Sequence, residues 1–130
     1  MTPYDPERAP DPAAWLALDE SDRIGRIAAF HAAAGITPPH AQLHAAMHSV
    51  VENQIAEDME TVRETLARLC AEGLSRHEAL HAVGSVLVAH LTASMGHPGK
   101  GRAAIDDYVR KLNSLTVEGW REHARQKRTI

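Results

Sequence analysis

At 130 residues the chain has room for one packed core but not two, and its 44% hydrophobic content excludes wholesale disorder. Only five residues are Phe, Trp or Tyr, so the core must be built from aliphatic side chains, a composition that favours helix over sheet. The lone Cys70 excludes an internal disulfide and a cysteine-rich zinc cluster, and reads as a small buried hydrophobe.

The net charge of −3 is unevenly divided. Residues 100–130 hold eight Lys or Arg against four Asp or Glu, and residues 1–99 hold six against thirteen. The basic end reads as a solvated tail, because no aromatic interleaving or nucleic-acid motif accompanies it, and no nucleic-acid partner is expected. No apolar run approaches the ~20 residues that span a bilayer, and the N-terminus has no signal-peptide core. The expectation is a cytoplasmic protein with no membrane partner.

Residues 1–10 carry Pro3, Pro6 and Pro10 and read as an extended leader, with a single helical domain over 11–130. Asp11 followed by Pro12 is an N-cap with proline at the first helical position, opening a short helix to Leu18. A second start at Asp19 to Ser21 leads into Ile24, Ile27, Ala28 and His31, with Gly35 as the stop. His31 reads as a partly buried histidine at a helix end, a fifth metal ligand being the other reading. Thr37-Pro38-Pro39 starts the next helix, in which Leu43, Met47, Val50, Val51 and Ile55 trace an apolar stripe with His44, His48 and Glu52 beside it. A break is expected at Ala56-Glu57-Asp58, with Asp58 capping a further helix that Gly73 closes.

Ser75 opens the helix that carries Arg76-His77-Glu78-Ala79-Leu80-His81. Ser75-x-x-Glu78 is a capping box, which gives Glu78 a purely structural explanation beside any chemical one. Leu80, Val83, Val86, Leu87 and Leu91 continue this helix to Ser94, and Gly84 within it marks a close approach by another helix. Residues 96–101 read as a turn, Ala103 to Leu115 as a helix with Ile105, Tyr108, Val109, Leu112 and Leu115 inward, and Thr116 as the cap of a last helix. The sum is an all-α bundle of five or six helices.

The chemistry concentrates in two stripes. His-Glu-x-x-His puts His77 and His81 on one helical face, where both can reach one ion, with Glu78 between them as a candidate general base. Upstream, His40, His44, His48 and Glu52 follow at intervals of four along another helix. If the helices run up, down and up, the two bearing these stripes are parallel, His44 lies level with His81, and His48 lies close to Gly84. The expected ligands are His44, His48, His77 and His81, with Glu52 as first alternate and as an alternative base. Four ligands would close a structural zinc site; three would leave a position for an activated water. A dinuclear carboxylate site using His48, Glu52, Glu78 and His81 is a further option. His90, His97 and His123 receive no role.

Leu43-His44-x-x-Met47-His48, then Glu52-Asn53-Gln54, then Arg76-His77-Glu78-Ala79-x-His81 resemble an uncharacterised family of small bacterial helical domains, over the span from Trp15 to Leu91. That resemblance implies that His44, His48, Glu52, His77, Glu78 and His81 act together, and brings no activity with it. The His-Glu-x-x-His signature is also similar to that of the zincin metallopeptidases, over those five residues alone. The expected function is a protein that binds a divalent transition metal, zinc first and iron second, and acts on a small-molecule or peptide substrate as a hydrolase. A non-enzymatic interaction module with a structural or sensory metal, or with none, is the alternative. A homo-oligomer is left open.

Overall fold

The leader and the short helix after it already bear on the core. In the computed structural model, which describes residues 3–94 and 101–128, Tyr4 and Pro6 of the non-helical leader are buried. α1 (Pro12–Ala17) follows, capped as expected by Asp11 Oδ2, which accepts the Ala14 amide at 3.0 Å. Its Trp15 is buried and packs 5.6 Å from the Tyr4 ring. Then come α2 (Glu20–Ala33), α3 (Ala41–Ala56), α4 (Glu60–Ala71), α5 (Arg76–Ser94), α6 (Gly101–Ser114) and α7 (Val117–Arg128). The all-α expectation holds, with seven helices and no strand among the described residues, not five or six. The starts expected at Asp11 and Thr116 both form, the Thr116 hydroxyl accepting the Gly119 amide, and the total reaches seven with α1 and α7 each standing as a separate helix. Of the turn expected over residues 96–101, residues 96–100, with His97, lie outside the described residues, and Gly101 already starts α6.

The break after α3 has a different mechanism from the one expected. Asp58 does not cap α4; it adopts a φ of 60° just past the end of α3. Its amide returns to the Ile55 carbonyl (3.0 Å) and the next amide, of Met59, returns to Gln54 (2.9 Å), a Schellman closure. Gly73 ends α4 in the same way, with Leu74 N–H bonded to the Leu69 carbonyl at 3.1 Å.

Two apolar clusters meet along α3. One gathers Val51, Val62, Leu69, Leu80, Val83 and Leu112 from α3 through α6; the other gathers Tyr4, Trp15, Ile27 and Ala45. α3 is turned differently from its sequence pattern. Leu43 is 63% exposed and Val50 is exposed as well, while His48 and Glu52 are fully buried. Val51, Met47 and Ile55 of the apolar stripe still face the core, and the polar stripe is buried beside them because Glu52 finds charged and hydrogen-bonding partners inside, so its burial is compensated. Ile105, expected to face inward, is exposed as well.

Three consecutive residues at the end of α3 tie the helices together. Glu52 reaches the leader and α5. Asn53 Oδ1 accepts from Trp15 Nε1 of α1 and from Arg23 of α2, each at 2.9 Å, and Gln54 accepts from Tyr108 of α6 at 2.9 Å. On the far side, Arg68 of α4 donates to the Leu112 and Leu115 carbonyls at the end of α6.

α3 and α5 meet in opposite senses, not in parallel. Glu52, late in α3, meets Arg76 at the start of α5; His48 meets His81; Met47 meets Gly84. The glycine at 84 is therefore opposite Met47, and His48 lies a turn closer to the start of α5 than expected. A Cβ at Gly84 would stand 2.0 Å from Met47 Sδ. Gly84→Ala should lower stability by about 1 kcal/mol, the overpacking outweighing a helix-propensity gain of about 1 kcal/mol. In a Met47→Ala background the same change should become stabilising, and urea unfolding of the four proteins would show the reversal of sign.

Candidate metal centre

Four histidines from three helices converge. His31 stands near the end of α2, His44 and His48 one turn apart on α3, and His81 on α5. One ring nitrogen from each lies within 4.8 Å of all the others. His81 Nε2 is 2.9 Å from His48 Nε2 and 3.2 Å from His44 Nε2. Two imidazole nitrogens sharing one zinc at ~2.0–2.1 Å and a tetrahedral angle lie roughly 3.3 Å apart, so this spacing is close to what a common ion requires.

His31 is positioned by its own helix. Its Nδ1 lies 2.8 Å from the Ile27 carbonyl, an acceptor only, so Nδ1 carries the proton and Nε2 is left with its lone pair. That Nε2 is buried without a hydrogen-bond partner. A ring fixed by a backbone carbonyl with its other nitrogen free is the arrangement metal-binding histidines adopt. His48 Nδ1 is also buried without a protein partner.

His77 lies beside the four without joining them. Its ring centroid is 4.4 Å from that of His81 and 5.2 Å from that of His48, and its buried Nε2 has no partner. Glu52 is held elsewhere: Arg76 donates to both carboxylate oxygens at 2.8 and 2.9 Å, and the Tyr4 hydroxyl donates to Oε2 at 2.6 Å. Glu78 is exposed. Its amide is capped by Ser75 Oγ at 3.1 Å, and its carboxylate accepts from Trp120 Nε1 at 3.4 Å. Of the residues expected to act together, the fold thus gathers His44, His48 and His81, sets His77 alongside, pairs Glu52 with Arg76, and turns Glu78 toward α7.

His31 completes the group although no His-x-x-x-His spacing marks it. Its one signal is a position on the buried face of α2, four residues after Ile27. Which helix lies opposite that face depends on how the helices cross.

A groove of about 450 Å³ leads to the cluster, with His44 and His81 in its wall. His31 and His48 lie deeper, at 4% and 0% exposure. Burial, reinforced by neighbouring imidazoles, holds His48 down to about 2 and His81 down to about 3, and lowers His44 and His77 too. Neutral pH therefore leaves these rings uncharged with lone pairs available, as metal ligation needs. No protein-family model, curated protein or solved structure matches the chain.

Two measurements follow from this site. Arg76→Ala would strand the buried Glu52 carboxylate and should cost about 3–5 kcal/mol, whereas Arg76→Met with Glu52→Leu should recover most of the loss. Equal unfolding midpoints for the single and double variants would contradict the pairing. The second concerns pH. The folded cluster resists protonation while the unfolded histidines titrate near 6.5, so stability of the chelator-treated protein is full above that value and declines as pH falls toward the folded values of about 2 and 3. Denaturation at pH 7 and pH 5 should show the decline, with a slope of up to about 1.4 kcal/mol per pH unit for each histidine, and His48→Gln should flatten it.

Proposed function

We propose that this protein is a helical metal-binding module in which one divalent transition-metal ion is held by His31, His44, His48 and His81 and ties α2, α3 and α5 together. The observation that carries the reading is the convergence of three Nε2 atoms at 2.9 and 3.2 Å beside the lone-pair nitrogen of His31. An all-imidazole set suits zinc first and iron second, since neither needs a thiolate and both accept neutral nitrogen donors. The ion replaces mutual contact among crowded rings with bonds to a shared centre. Binding free energy then adds to folding free energy, because the ligands come from helices far apart in sequence.

A metal-dependent hydrolase is the second reading, favoured by one observation: Glu78 is exposed, with its carboxylate on Trp120, a residue that lines the groove reaching His44 and His81. Glu52 is the weaker base, because Arg76 and Tyr4 already occupy its oxygens. The module reading asks nothing of either carboxylate.

Elemental analysis of protein purified without a histidine tag should find about one ion per chain. His31→Ala, His48→Ala and His81→Ala should each lose it, while Glu78→Gln should keep it. Adding zinc to the stripped protein at a hundredfold its Kd should stabilise the fold by about 2.7 kcal/mol, read as a rise of about 10 °C in Tm. Full metal content in all three alanine variants would overturn the ligand set. Hydrolytic turnover lost in Glu78→Gln with the metal retained would favour the second reading.

A further inference from the structure

We propose that the groove beside the metal centre takes a small anion with an apolar body, whose head adds to the four histidines as a fifth ligand on the side of His44 and His81 while its body lies along the groove; this rests on the metal-binding reading above. The argument begins with charge. Four neutral imidazoles leave a divalent ion's two positive charges uncompensated, and the nearest buried carboxylate, Glu52, is already matched by Arg76. A partly desolvated site of that kind favours an anion as its next ligand.

The lining of the groove says what the rest of that anion must be. Its walls include Leu43, Met47, Val88 and Trp120, and no acidic or cationic side chain other than histidine lines it. The polar groups are the imidazoles of His40, His44, His81 and His123 and the Ser85 hydroxyl. Leu43 and Val88 are 63% and 41% exposed, so an apolar body laid between them removes surface now in water. The volume, about 450 Å³, falls within the range of small-molecule sites. A bare metal ligand such as chloride would leave those walls wet. A cationic ligand would meet the uncompensated ion. A carboxylate with an aliphatic chain meets both demands.

The test uses the full-length protein, loaded with cobalt and assayed for metal content before each titration, with octanoate, acetate and octylamine as probes. Octanoate should change the visible cobalt spectrum and bind at least about tenfold more tightly to the cobalt protein than to the metal-free protein. Affinity should rise about fourfold per methylene from butyrate upward, as apolar burial requires. Acetate should bind weakly and octylamine should leave the spectrum unchanged. Val88→Glu, at an exposed position, should retain cobalt and lose octanoate.

Cobalt bound stoichiometrically with no spectral response to octanoate overturns the groove assignment and leaves the metal reading standing. Equal octanoate affinity with and without cobalt overturns it as well, since the head would not be on the ion. No cobalt uptake overturns both. A cobalt-loaded dimer in sedimentation that excludes octanoate, and that Val88→Glu dissociates, would assign the groove to a second copy of the chain instead.

Discussion

A lone pair on a buried imidazole must be given something, and this fold puts several such lone pairs in one place. His44, His48 and His81 are kept neutral by their burial and by their neighbours, so their protonation cannot relieve the crowding near neutral pH. Hydrogen bonds among the rings satisfy only part of the set, and His31 Nε2, His48 Nδ1 and His77 Nε2 remain without partners. An ion held by the four histidines would give His31 Nε2 the partner it lacks. The apolar packing around them is arranged to hold rings, not to replace them.

The Glu52–Arg76 pair is the second support. It is buried, bidentate and closed by Tyr4, so it brings the leader, the end of α3 and the start of α5 to one point. Burial pushes the Tyr4 phenol well above its ordinary range, and the Glu52 carboxylate beside it adds to that, so the hydroxyl stays a donor. Such a pair contributes more to register than to net stability. Here the register matters: moving α5 by one residue along α3 would turn His81 away from His44 and His48. Asn53 and Gln54 extend the same bracing to α1, α2 and α6. A polar segment at the end of one helix thus locates every ligand-bearing element.

Much of this was legible from residue spacing. The helical class, the Asp11 cap, the Ser75 bond to the Glu78 amide, the stop at Gly73 and the meeting of His44 with His81 all follow from local rules or from periodicity. The sense in which α3 and α5 pack did not. His44 meets His81 as expected, but Gly84 meets Met47 where the parallel arrangement had put His48. The role of Asp58 was also misjudged, since it reads as a cap by residue type but takes a left-handed φ, which aspartate tolerates better than most side chains.

What the amino-acid order determined by itself is the part governed by neighbours along the chain: which segments are helical, where they start and stop, and which histidines share a helical face. Tertiary structure alone decided three things. It buried Glu52 and His48 while exposing Leu43 and Val50, because Arg76, Tyr4 and the other imidazoles compensate the polar face from segments distant in sequence. It brought His31 into the cluster from α2, and it matched Glu52 to a cation instead of leaving it beside the histidines as a free carboxylate. Each of these depends on partners tens of residues away, whose desolvation and pairing energies outweigh the local hydrophobic pattern and cannot be evaluated until the helices cross.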